Sequence, residues 1–275
     1  MLDSLQTVVV ASRYPSIPAK NRMGRSADDC NRRDAHPREI AATEVPSLKN
    51  KILLAIPEAE YQVMQLHLEP FKFHQHCILH EPAQNLEFAY FPNHGLISLL
   101  VATEDGKTVE AGMVGNEGVI GVAAAVGLSI SPLRQVVQIT GDGFRIRIAA
   151  FQRCLAMTPH LQMVLSRYAV VQGMQIAQTA ACNRLHAVGE RLARWLLMAT
   201  DRVGSSSLPI THDFLATLLG TDRPSVSVAA KILQRKKIIE YRRGALEILS
   251  RKKLEASTCE CYRVIRQFNG VLRLP

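Results

Sequence analysis

The stretch that most constrains this chain runs over residues 211–249. Thr211 is a favourable N-cap, and Phe214, Leu215, Leu218 and Leu219 follow it at helical spacing, which predicts one short amphipathic helix. Gly220 supplies the permissive backbone of a tight turn. Thr221-Asp222 then offers a second N-cap, with Pro224 tolerated in the first turn of a second helix. That helix carries Val226, Ala229, Ala230, Ile232 and Leu233 inward, and Arg223, Ser225 and Ser227 stand at its start, where a recognition helix presents side chains to base edges. Residues 238–241 and 245–249 read as two short strands around the turn Arg242-Arg243-Gly244. Helix, turn, helix and basic hairpin make a winged helix-turn-helix. An ordinary helical hairpin in a core is the alternative.

Charge separates the two. Residues 182–275 hold 17 Lys+Arg and 8 Asp+Glu, whereas residues 49–181 hold 9 and 10, and residues 1–48 hold 7 and 6. The whole chain's net charge of +9 therefore lies in the segment with the motif, the footprint of a phosphate-backbone partner. Lys231, Arg235, Lys236, Arg242 and Arg243 lie along the second helix or on the hairpin, where phosphates are their expected partners.

At 275 residues the chain is long enough for two ordinary domains. No apolar run approaches the ~20 residues needed to span a bilayer, so no membrane partner is expected. Val8-Val9-Val10-Ala11 is too short for a signal-peptide core and no basic residue precedes it, which favours the cytoplasm. Six scattered cysteines form no disulfide framework.

In chain order, residues 1–47 read as a poorly ordered leader interrupted by Pro15, Pro18, Pro37 and Pro46. Residues 48–157 open with a helical stretch broken at Pro57 and continue as seven or eight short alternating runs punctuated by turns such as Pro92-Asn93-His94-Gly95 and Asp105-Gly106. Strands at this spacing predict a small antiparallel barrel or jelly roll, and the fold class is α+β. Residues 158–183 form a long helix opened by Pro159, with an apolar stripe that includes Leu161, Leu165, Tyr168 and Val171. The economical cover for such a stripe is the same helix of a second subunit, which makes these four the expected dimerisation residues; packing against the chain's own barrel is the alternative. Residues 184–275 carry one further helix, with Leu192, Trp195, Leu196 and Met198 inward, and then the winged motif.

Barrel, long helix and winged helix-turn-helix, in that order, resemble the Crp/Fnr family of bacterial transcription regulators over about residues 48–265. The specific stretches are 110–118 (EAGMVGNEG), 182–186 (CNRLH), 190–197 (ERLARWLL) and the motif itself. The resemblance implies a homodimer that binds a roughly palindromic site on double-stranded DNA, a barrel that senses a signal or supports the dimer, and RNA polymerase as a candidate further partner. It matches Arg223 to the family's base-reading arginine, with Ser225 and Ser227 at neighbouring DNA-facing positions, and puts Pro224 where many relatives carry a base-reading glutamate. Cyclic-nucleotide members carry a Gly-Glu pair and then an Arg followed by Ser or Thr. Here the glycine-rich stretch 115–121 has its glutamate displaced, and Gln135 follows the matching Arg134, so these two are only candidate effector-binding residues. The iron–sulfur members cluster cysteines near the N-terminus, where this chain has Cys30 alone.

Other constellations carry less. His74 and His76 share one face of a strand, as metal-binding pairs in cupin-type barrels do, but no glutamate follows at the spacing those enzymes use. Cys259 and Cys261, read on a single C-terminal helix, diverge by about 100° per residue and make poor co-ligands. Redox sensing through Cys182 or this pair stays open. The expectation is a DNA-binding regulator without catalysis or cofactor. The competing class is a metal-dependent cupin-like barrel enzyme with an accessory helical domain.

Overall fold

The structure, a computed structural model, describes residues 46–242 and 245–275 together with the backbone of a two-residue strand, β1 (Arg25–Ser26). The leader expected over residues 1–47 otherwise falls outside the described residues.

The first half opens on two short helices, α1 (Lys51–Leu54) and α2 (Glu58–Gln65), separated at Pro57. Asn50 caps α1, its side-chain oxygen accepting from the backbone of Ile52 and Leu53. Seven strands follow: β2 (Glu69–Phe73), β3 (Cys77–His80), β4 (Phe88–Pro92), β5 (Leu96–Ala102), β6 (Thr108–Val114), β7 (Arg134–Ile139) and β8 (Gly141–Arg147). They form two sheets, ordered β1-β3-β7-β5-β6 and β2-β8-β4. Apart from the parallel β1–β3 pair, the neighbours are antiparallel, as the alternating runs predict. Between the sheets lie Phe71, Phe73, Phe88, Tyr90, Ile97, Leu99, Val114 and Val137, and the rings of Phe71, Phe73 and Tyr90 meet edge to face. This interior is a packed aromatic core.

Helix α3 (Ile148–Leu155) leads to α4 (Pro159–Leu185), the longest element. Pro159 occupies its first turn, where a missing N–H costs nothing. Glu60 caps it from α2, its carboxylate accepting from the backbone of His160 at 3.0 Å and Leu161 at 2.9 Å. Here a sequence expectation is corrected. Leu161, Leu165, Tyr168 and Val171 are buried in the chain's own core, against Phe151, Leu155 and Val119, rather than on an open face. The open side of α4 bears Met163, Val170 and Met174.

The second half begins with α5 (Val188–Val203). Leu192, Trp195, Leu196 and Met198 are buried as expected, and so are Arg191, Arg194 and Arg202. Next come β9 (Ser207–Leu208), α6 (His212–Leu219), α7 (Arg223–Arg235), β10 (Ile239–Arg242), β11 (Ala245–Ile248), α8 (Arg251–Glu255) and α9 (Cys261–Val271). Strand β9, which sequence periodicity did not reveal, adds to β11 to complete the sheet β10-β11-β9. No helix among the described residues is long and apolar enough to cross a membrane.

Candidate nucleic-acid interface

Local chemistry sets the motif. The Thr211 hydroxyl accepts from the Phe214 N–H at 3.3 Å and starts α6. Gly220 ends it in the left-handed region (φ +59°), with its N–H returned to the carbonyls of Ala216 and Thr217. A Cβ at Gly220 would come within 2.9 Å of Val109, so the turn also has to be small where it meets the barrel. Asp222 caps α7, its carboxylate accepting from the Ser225 N–H at 2.7 Å and the Ser225 hydroxyl at 3.0 Å. These bonds hold the Asp222 carboxyl below its usual range. Val226, Ala229, Ala230 and Leu233 then seat α7 against α5 and α6.

The outward face of α7 is left with two parallel stripes at four-residue spacing. Arg223, Ser227, Lys231 and Arg235 form a polar one, and Pro224, Val228 and Ile232, the last expected inward but exposed, form an apolar one beside it. Arg223 lies 3.4 Å from Asp213, both side chains exposed, so the pair opens at little cost. Ser227 is half-buried and engages the His212 imidazole at 3.1 Å. Ser225 is half-buried at the edge of this face, and its hydroxyl donates to the Asp222 carboxylate. Lys236 is exposed where α7 ends, next to the equally exposed Lys237. On the wing, Arg242 is tied to Glu240 at 2.8 Å and reaches Glu247 at 3.9 Å, which offsets its charge, while Arg243 lies outside the described residues. Val228, 60% exposed, was missed by sequence reasoning, although its place four residues after Pro224 marks it.

The candidate effector residues take other roles. Arg134 is buried and gives both Nε and an Nη to the Glu81 carboxylate, at 2.8 and 3.2 Å. Gln135 is buried beside it, with its side-chain oxygen unpartnered. The displaced glutamate of the glycine-rich stretch, Glu117, accepts from Arg202 of α5 at 2.7 Å and from the Gly115 N–H at 3.1 Å. It therefore ties barrel to helix.

The barrel histidines do not gather round a common point. His80 is buried, with Nε2 on the Phe88 carbonyl at 3.0 Å, and burial pushes it down to about 4. His94 pairs with Asp142 at 2.8 Å, and His76 packs its ring on Phe214. Cys259 and Cys261 need a second correction. Cys259 lies in the turn before α9 and Cys261 is its first residue, so the pair is not spread round one helix, and both approach Cys182.

Residues 190–257 match the family model of the Crp-like helix-turn-helix domain. The chain carries a Crp-like helix-turn-helix domain. No curated protein matches the chain in sequence. Among solved structures, FixK2 from Bradyrhizobium japonicum is similar at 13% identity and TM-score 0.61, over 70% of this chain and 98% of that one. The c-di-GMP-responsive global regulator CLP of Xanthomonas campestris is similar at 14% and 0.57, over 70% and 100%. A CRP-family transcriptional regulator from Thermus thermophilus is similar at 17% and 0.57, over 68% and 95%. The fold is thus that of Crp/Fnr regulators, with the barrel ahead of the Crp-like domain. Neither that architecture nor the scattered histidines supports a cupin-like enzyme.

Proposed function

We propose that the chain is a Crp/Fnr-type transcription regulator that binds a roughly palindromic site on double-stranded DNA as a homodimer, with the start of α7 in the major groove. The observation that carries this is the outward face of α7. Its inner side is fully used in seating the helix, while Arg223, Lys231 and Arg235 are held in solvent along one stripe of a rigid, doubly capped motif. Arg223 reads guanine, Val228 sits at the height of a thymine methyl, and Lys231, Arg235 and Lys236 meet phosphates.

The dimer forms along the open side of α4. Met163, Val170 and Ala177 recur every seven residues, and Arg167, Met174 and Ala181 do so four residues on, which is the seam of a two-stranded coiled coil. Val170 is 59% exposed and Gly173 has nothing within 4 Å of a Cβ, so this side is free for a second helix. RNA polymerase is the partner on which the DNA-bound dimer acts, and the protein works in the cytoplasm. The barrel does not take cyclic AMP through Arg134, because Glu81 already holds that guanidinium.

Selection of bound DNA from a random pool with the purified protein tests the reading. The expected outcome is an inverted repeat with half-sites about one helical turn apart. Recovery of unrelated sequences, or of single half-sites only, would overturn it.

A further inference from the structure

Four metal-binding side chains converge where the end of α4 meets the start of α9. Cys182 lies in the last turn of α4 and His186 is its C-cap, one turn on. Cys259 arrives 77 residues after Cys182, and Cys261 follows two residues on. The sulfurs of Cys182 and Cys259 are 3.5 Å apart, Cys261 Sγ is 3.6 Å from His186 Nδ1, and all four donor atoms lie within 4.8 Å of one another. A tetrahedral zinc ion with Zn–S of about 2.3 Å and Zn–N of about 2.0 Å has S–S edges of roughly 3.8 Å and S–N edges of roughly 3.5 Å. The side chains are therefore gathered to the size of a single ion. A two-iron cluster divides its ligands between two metals and holds them further apart.

The surroundings are built for charge at this point. His186 Nε2 is 3.3 Å from Glu260, so that nitrogen donates outward and leaves Nδ1 as the lone pair facing the thiols. Gln178 donates to Cys261 Sγ at 3.0 Å. Arg191 and Arg194, both buried and both with an unpartnered Nε, lie within electrostatic reach of Cys182. Three thiolates, a neutral imidazole and a divalent ion sum to one negative charge. Arg194 also lies within electrostatic reach of the Glu110 carboxylate, and thiolates at this point would give the buried Arg191 its counter-charge.

We propose that Cys182, His186, Cys259 and Cys261 bind one zinc-type divalent ion in tetrahedral coordination, through three sulfurs and His186 Nδ1. On binding, the three thiol protons pass to solvent and the ion takes their place. The site is closed, with four protein ligands and no open position, so the ion is structural. It ties α9 to the end of α4, beside the short link at Ala187 that joins α4 to α5 and through it the DNA-reading half.

The test uses the full-length protein grown with zinc and purified under reducing conditions. Elemental analysis should find about one zinc per chain, and cobalt(II) exchanged into the site should show the charge-transfer and ligand-field bands of a tetrahedral thiolate complex. Cys259→Ser and His186→Ala should lose that ion, while Cys154→Ser, at a buried cysteine outside the cluster, should keep it. Glu260→Gln changes an exposed second partner, and so keeps the fold while weakening zinc about tenfold. Wild-type protein with neither zinc nor a cobalt spectrum would overturn the proposal. So would a Cys182–Cys259 disulfide as the purified state, or iron with inorganic sulfide in place of zinc.

Discussion

Trp195 of α5 donates its indole N–H to the carboxylate of Glu110 on β6 across 2.8 Å. Glu110 is buried and also accepts from the Ser98 hydroxyl. Burial pushes its pKa up to about 7, against the opposing pull of Ser98, Arg194, Trp195 and Arg202.

A pH dependence follows from that contact. The folded pKa of about 7 stands above the ordinary 4.5, so the folded state favours the protonated acid. Its contribution is fully present below about pH 4.5 and is lost as pH rises through 7, by on the order of 3 kcal/mol when the group is fully ionised. Glu110→Gln keeps an acceptor for Trp195 and cannot ionise. The difference in melting temperature between Glu110→Gln and wild type, in favour of the variant, should grow from pH 5 to pH 8. A difference that stays flat with pH would show that the folded chain does not raise the pKa of Glu110.

The two sides of α4 should respond differently to substitution. Charges at Val170 and Met174, as in Val170→Glu with Met174→Glu, should give a folded monomer by sedimentation. Leu165→Ala should instead destabilise each chain by about 2–5 kcal/mol, because it opens a cavity against the barrel. A Val170→Glu/Met174→Glu protein that still sediments as a dimer would rule out the seam.

Arg223 and Arg235 should have different signatures on DNA. Arg223→Ala should cost roughly 1–3 kcal/mol on the selected site and relax preference at one base pair per half-site, with little loss on random DNA. Arg235→Ala should weaken both alike and lower the slope of log affinity against log salt by about one unit. Equal weakening of every DNA by Arg223→Ala would make that residue a phosphate contact.

Calorimetric titration with cyclic AMP at near-physiological salt should give no saturable heat. Arg134→Ala should lower stability by roughly 1–3 kcal/mol, because it leaves the partly buried Glu81 carboxylate unpaired. A micromolar isotherm that disappears in Arg134→Ala would reverse this assignment.

Local signals carried most of the fold. Thr211 and Asp222 are caps by residue type, Gly220 is the left-handed turn its position calls for, and the alternating runs of the barrel became strands because one face of each is buried. Helix α4 resisted because it is apolar on more than one side. Its periodicity suits the stripe through Leu165 and the stripe through Val170 equally, and only the shape of the barrel decides that the bulky leucines and Tyr168 go inward. Residue type alone did not show that the Ser225 hydroxyl donates to the Asp222 cap. The cysteine cluster was illegible for a different reason. Cys182 and Cys259 are 77 residues apart, and a turn at Glu260 that no periodicity announces brings Cys259 and Cys261 together.

Helix α5 is buried on nearly every side, and one continuous set of apolar contacts runs from Leu96, Leu100, Met113 and Val136 on the barrel through Leu192 and Trp195 to Leu215, Val226 and Leu246. Neither half can withdraw from α5 without exposing the apolar interior of the other. Heat should therefore melt the barrel and the helix-turn-helix in one cooperative transition, with equal calorimetric and van't Hoff enthalpies. For the same reason, a hybrid that joins this barrel to a foreign reading head should fold only if the graft brings its own matching α5.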